Sequence, residues 1–426
     1  MEWTAWLALG IFGFVFVVIS FELVNKTAAA ITGGVIFLLL RFIHQESAFL
    51  AVDWGVIFLL VSMMIIMAVV QETGLFQYVA IKTAKSVRGE PLGILILLSL
   101  VTAVISAFLD NVTTVLILAP ITILIAVELS ISPVPFMIAM AIASNIGGAA
   151  TLIGDPPNIM IGTATGFTFV EFIYNLAPVV LILLAVLAGL LPLFFGKQMI
   201  VSNERKARIM ELDETKAITD MPLLIRSGVV LILLIIAFLL HSVINLEMAT
   251  IAMTGAAVML LMSDKHKMHT LLQSVEWETI LFFVGLFIMV DGLKELGAIS
   301  FFADRILDVA QGNPAMAAIL VLWFSGILSA LVDNIPYVAT MIPLVMQLQE
   351  KFGPELTYPI WWSLALGACL GGNGTLIGAS ANVVVAGIAR KSGYPISFME
   401  FTKYGAIITV ISLLICTGYI YLRYLM

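Results

Sequence analysis

Asp110 and Asp333 are the residues best placed to do chemistry in this chain. Each sits in a short matching stretch, SAFLDN and SALVDN, with apolar arms on both sides and no polar loop. At membrane depth a charged carboxylate costs roughly a few kcal/mol or more, so such acids face a cavity and serve a function. A carboxyl group held there is a candidate proton carrier. The plainer reading is that each acid caps the second arm. Asp110 would accept from backbone N–H groups of Val112 to Thr114, and Asp333 from those of Ile335 to Tyr337, with no donor at Pro336. Asn111, Thr113 and Asn334 flank the acids and add amide or hydroxyl ligands.

The second candidate block is GGAATLIGDPPN, matched downstream by GGNGTLIGASAN. Gly147 and Gly148 are expected to loosen a helix that Pro156 and Pro157 cannot continue. Freed backbone groups at membrane depth are tolerated only in a cavity wall or a protein interior. Opposed half-helix ends can hold an ion or polar solute there without a permanent charge. The binding candidates from this block are Asn145, Gly147, Gly148, Thr151, Gly154, Asp155 and Asn158, with Gly371, Gly372, Asn373, Thr375, Gly378 and Asn382 in the second copy. Ala379 stands where the first copy has Asp155, so the half-sites differ chemically. No Lys or Arg is expected in this site. Cys369 aligns with Asn145 and reads either as a thiophilic ligand or as a small apolar filler. His266 and His269 form a lone HxxH without further metal-site spacing, so no metal is assigned. No cofactor is expected beyond a coupling ion, H⁺ or alternatively Na⁺.

These elements are positioned by an internal duplication. Asp110 and Asp333 are 223 positions apart, as are Trp54 and Trp277, Gly74 and Gly297, and Pro120 and Pro343; the glycine blocks repeat at 224. With 62% apolar residues, 11% charged and a mean hydropathy of +1.13, the chain is far from soluble usage. The expected fold is an all-α polytopic membrane protein of two inverted repeats, each with a re-entrant hairpin and a broken transmembrane helix. The divisions are a first repeat over 1–196, a charged solvated linker over 197–221 and a second repeat over 222–426. Spans are read near Trp3 to Leu23, Ala28 to Ile43 and Trp54 to Val70, then an amphipathic piece carrying Lys82, Lys85 and Arg88. Hairpin arms follow over Leu92 to Leu109 and Val112 to Val127. Glu2, in place of a basic leader, argues against a cleaved signal peptide.

An odd number of crossings per copy orients the copies oppositely. With the N-terminus outside, fifteen of the twenty Lys and Arg fall inside, against Arg41, Lys294, Arg305, Lys351 and Arg423 outside. Both termini are therefore expected outside and the linker in the cytoplasm, in a prokaryotic plasma membrane. No basic footprint for nucleic acid is present. The absence of HExxH, GxSxG and P-loop motifs argues against an enzyme and against direct ATP use.

The block SNIGGAATLIGDPPNIMIG, Ser144 to Gly162, resembles the ArsB/NhaD branch of the ion transporter superfamily, most closely the permease group of the pink-eyed dilution (P) protein and arsenite permease-like proteins. The resemblance covers nearly the full length. It implies an elevator-type fold, a homodimer, hairpin tips and breaks that line the site, and, for an arsenite-type member, a soluble ATPase subunit as partner. Related divalent-anion/sodium symporters carry Ser-Asn-Thr at the tips, whereas this chain has Asp-Asn. The expected function is a proton-coupled transporter of a small inorganic solute, with arsenite efflux as the substrate reading. Sodium/proton antiport and a passive anion channel are the alternatives.

Overall fold

A computed structural model of the chain describes residues 3–20, 23–309 and 312–426, and every element assigned among them is helical. Glu2 and residues 21 and 22, the end of the expected first span, lie outside the described residues. Six helices are long and apolar enough to cross a membrane among those described. A seventh arises if Lys265–Gln273 and Trp277–Glu295, bent by 48° at a short break, count as one.

Helices begin where polar side chains or proline satisfy their free N–H groups. The Asn25 side chain accepts from Thr27 and Ala28 N–H, Asp53 from Val56 N–H, and Thr168 with Glu171 forms a reciprocal box. Pro91, Pro314 and Pro354 open their helices, where the missing N–H costs nothing. The order of elements recurs along the chain. Trp54–Glu72 is followed by a short helix Leu75–Ser86, a first hairpin of Pro91–Ser106 and Asn111–Glu128, and a first broken helix of Val134–Gly148 and Pro156–Thr165. Trp277–Glu295 is followed in the same order by Ala298–Val309, a second hairpin of Pro314–Leu331 and Asn334–Phe352, and a second broken helix of Pro354–Gly371 and Ser380–Lys391.

Packing crosses between the halves. Lys26–Leu39 lies against Trp277–Glu295, and Met248–Met262 lies against Trp54–Glu72. Gly285 makes the first contact close, since a Cβ there would meet the Ala30 carbonyl at 2.5 Å. Burial separates centre from rim: 72% of the Trp54–Glu72 window is buried, against 28% for Met221–Ile244. The outer face of that last helix carries Ile225, Val229, Ile232, Leu233 and Val243 exposed, as a lipid-facing helix requires.

The linker is mostly exposed, as expected of a solvated connection, but it is also tied to the helices beside it. It contains a helix, Asn203–Glu211, whose Ile209 is fully buried. Lys206 pairs with Glu90, Arg205 donates to the Ser130 carbonyl, and Lys85 donates to the Leu212 carbonyl at 2.9 Å. The charged run is thus a strap across the mouth of the first hairpin. The Lys85 ammonium bonded to Glu214 also holds that carboxyl below its usual value of 4.5. A lowered folded pKa stabilises the strap above 4.5 and ceases to do so as pH falls through the folded value. Limited proteolysis within 197–221 is therefore expected to accelerate on acidification through that range, while cleavage elsewhere stays unchanged.

Candidate functional site

Both hairpin tips use their acid as a helix cap, but not in the same way. Asp110 accepts from Thr113 N–H at 2.8 Å. Pro336 stands at the matching position of the second copy and has no N–H, so Asp333 caps through Ile335 N–H at 3.2 Å instead. Its other oxygen, Oδ2, accepts from the Ser380 hydroxyl.

Each break is pressed against the first arm of its own hairpin by corresponding contacts. Ser106 Oγ donates to the Ser144 carbonyl at 2.7 Å, and Ser329 Oγ to the Ala368 carbonyl at 2.6 Å. The Thr151 hydroxyl donates to the Ala107 carbonyl, and the Thr375 hydroxyl to that of Ala330. Within the breaks, the Asn158 amide donates to the carbonyls of Thr151 (2.8 Å) and Ala149 (3.3 Å). The Asn382 amide does so to Gly372 (2.8 Å) and Thr375 (3.0 Å). Carbonyls freed where the helix stops thus regain donors without water.

Gly147 and Gly148 are the last residues of their helix, and the chain resumes as helix only at Pro156, so the break lies where it was expected. They also permit close approach: a Cβ on Gly147 would meet the Ala103 carbonyl, and one on Gly148 the Gly154 carbonyl at 2.6 Å. Gly154, Gly371, Gly372 and Gly378 likewise face backbone at 3.0 Å or less.

The two halves meet through a chain of amides. Asn145 Nδ2 donates to Asn382 Oδ1 at 3.0 Å and to Asn373 Oδ1 at 2.9 Å. Cys369, the residue that aligns with Asn145, donates its thiol to Asn158 Oδ1 at 3.6 Å, mirroring the first of these bonds. Asn111 Nδ2 donates to Asn145 Oδ1 at 3.0 Å and reaches Asp155 Oδ1 at 3.4 Å. Asn334 Nδ2 lies 3.3 and 3.2 Å from the two oxygens of Asp155. Asp155, 1% exposed, therefore sits between an amide from each hairpin tip. Burying a carboxylate costs on the order of several kcal/mol unless donors replace its water, and these two amides are such donors.

A cavity of about 510 Å³ opens onto this centre, lined by Asp110, Asn111, Asp155 and Asn334 among the expected residues. Several of its polar lining residues lay outside the sequence reading, Lys26, Glu276, Glu278 and Ser380 among them. Lys26 corrects the expectation that no basic side chain would be present; Glu276, Glu278 and Ser380 add to the polar wall. Glu276 had a sequence signal, since it precedes Trp277 as Asp53 precedes Trp54 at the same offset. Lys26 had none, its counterpart region being Met248 and Ala249. Of the expected residues, Thr113 takes part through its N–H, and Thr151, Asn158, Thr375 and Asn382 are spent on the breaks themselves.

The profile of a family described as citrate transporter (CitMHS) matches residues 16–367. A 46 kDa membrane protein of Mycobacterium leprae is 47% identical over 425 residues, covering 98% of this chain and 99% of that one. An uncharacterized transporter of Mycobacterium tuberculosis is 47% identical over 423 residues, 98% of each chain. The human P protein is 34% identical over 490 residues, covering 95% of this chain and 58% of that protein.

Proposed function

The chain belongs to the citrate transporter (CitMHS) family of membrane permeases, and from that premise we propose a secondary active transporter in which Asp155 carries a coupling proton and a small oxygen-rich solute crosses by alternating access. It is an integral membrane transporter, not an enzyme. The observation that carries the proposal is the setting of Asp155, a buried acid held by one amide from each hairpin at the end of an open cavity. A group that binds both copies at once is where their relative motion and a charge change can be linked.

The charge of the cavity bears on the solute. Asp110, Asp155, Glu276 and Glu278 line it against Lys26 alone. Carboxylates repel a multivalent anion and accept from hydroxyl groups, which favours a neutral hydroxide of the arsenious acid kind, the ArsB-like reading. Lys26 and the family's description support a second reading, a carboxylate anion. Sodium in place of the proton, as in an NhaD-like antiporter, uses the same acids. The architecture that goes with this function is two inverted repeats in a homodimer, moving as an elevator, with both termini outside and the linker cytoplasmic. On that orientation the cavity at Glu276 opens inward.

Proteoliposomes with an imposed pH gradient test the reading, with arsenite flux, citrate flux and Na⁺-induced proton movement followed in parallel. The expected result is saturable arsenite flux that rises with the gradient. Citrate flux in its place selects the anion reading, Na⁺-driven proton movement alone the antiporter, and unsaturable flux without a gradient would sink coupled transport.

A further inference from the structure

Lys26 opens its helix, yet its ammonium leaves that helix for the moving parts of the site. Nζ donates to Ser380 Oγ at 2.9 Å and lies 3.8 Å from Asp333 Oδ2, the oxygen that also accepts from Ser380. One long side chain therefore joins Lys26–Leu39 to the second hairpin and the second broken helix. Its base is fixed. Thr27 Oγ1 donates to the Glu278 carbonyl at 2.7 Å, and Asn25 Nδ2 to Glu278 Oε2 at 3.2 Å, tying this helix start to that of Trp277–Glu295. The ammonium also stands 5.7 Å from the centre of the Phe282 ring.

The contact sits between two spaces. The 510 Å³ cavity and a second of about 420 Å³ both include Lys26 and Ser380 in their walls; the second also includes Asp333. The pairing is one-sided, because among the described residues no Lys or Arg pairs with Asp110. Side-chain exposures of 32% for Lys26 and 15% for Asp333 place the pair partly out of water, where a charge-assisted contact counts for more than on an open surface.

We propose that Lys26 is a tethered cation that occupies Asp333 in this state, holds the second hairpin against Lys26–Leu39, and must leave before the hairpin can move. On release, the Asp333 carboxylate takes its positive partner from solution, a proton in the reading above. The proposal rests on the transporter function and assigns Lys26 as a positioning residue acting through Asp333. The charged groups facing the triad are Glu276 and Glu278 from Trp277–Glu295 and Asp110 across the larger cavity, so removing Lys26 leaves an uncompensated cluster of acids.

The test compares wild type, Lys26→Arg and Lys26→Met in the same proteoliposomes, reading kcat, KM and pH profile. Lys26→Met is expected to lower kcat roughly tenfold, the size a single charge-assisted contact supports, because the hairpin's return to this state loses the contact that receives Asp333, with KM little changed and the residual flux steeply dependent on acid. Lys26→Arg should keep the wild-type pH profile. A reducible bis-thiosulfonate cross-linker of about the lysine side chain's length, joining Lys26→Cys to Ser380→Cys, should stop transport until reduced, which tests the contact even if Lys26→Met folds poorly. A Lys26→Met protein with wild-type kcat and pH profile overturns the proposal while wild-type flux leaves the transporter reading intact. A rise in KM alone overturns it too, by making Lys26 a solute ligand. Silent wild-type vesicles would remove the transporter reading and this proposal with it.

Discussion

Asp155→Asn is expected to abolish coupled transport while the protein stays folded. The substitution keeps the side chain's shape but replaces an acceptor-only carboxylate by a group with one carbonyl and one NH₂. Asn111 and Asn334 both direct amide donors at Asp155, so either the 3.2 Å contact to Oδ2 or both contacts to Oδ1, 3.4 and 3.3 Å, become a donor facing a donor. An unsatisfied buried polar group costs about 1–3 kcal/mol, or about 5- to 150-fold in the equilibrium it biases. The penalty falls on the state in which both hairpins converge on this residue, so turnover suffers more than folding. On the proposed proton coupling, loss of the ionisable group removes the proton step as well, and any residual flux should no longer follow an imposed pH gradient. Thermal stability in detergent and flux in vesicles separate the two effects. Gradient-driven flux at the wild-type rate would show that Asp155 is a structural acceptor only.

What the sequence conveyed was whatever the duplication wrote twice. Matching offsets marked both hairpin tips, both breaks and the pairs Asn158 with Asn382 and Thr151 with Thr375, and these do make matching bonds in the structure. Capping was legible too, down to the donor missing at Pro336. What escaped was contact between elements with no counterpart to compare. Lys26 reaches Asp333 across 307 positions, and only the packing of Lys26–Leu39 on Trp277–Glu295 brings it there. The linker's charge run is largely exposed as its composition suggested, but its docking escaped, because patterning counts charges while Lys206, Lys85 and Arg205 make their contacts between the linker and other elements. The partner of Cys369 was also out of reach, since it depends on how the two breaks face each other. The packing role of the glycines escaped for a related reason: a glycine that ends a helix and one that admits a neighbouring backbone look alike in sequence.

That last distinction carries the second large expected effect. Gly147→Ala and Gly371→Ala should each cost far more than an ordinary glycine-to-alanine change in a helix. A Cβ at Gly147 would fall 2.5 Å from Ala103 Cα and closer still to its carbonyl, and one at Gly371 would fall 2.5 Å from the Gly326 carbonyl. Backbone on both sides leaves nothing flexible to give way, so the helix must shift off the hairpin arm, at a cost of about 1–3 kcal/mol or more. Gly189→Ala is the control, because nothing lies within 4 Å of its Cβ position in Phe169–Phe195. There alanine should stabilise by about 0.5–1 kcal/mol through helix propensity alone. Melting temperatures in detergent should therefore move in opposite directions, down for Gly147→Ala and Gly371→Ala and up for Gly189→Ala. Equal behaviour of the three would mean that the breaks are not seated on the hairpins as described. The contacts matter for function because they join each hairpin and its break into one rigid piece. Lys26 touches the second of these pieces from outside, so a transport cycle can break that single contact while the glycine-packed seams move intact.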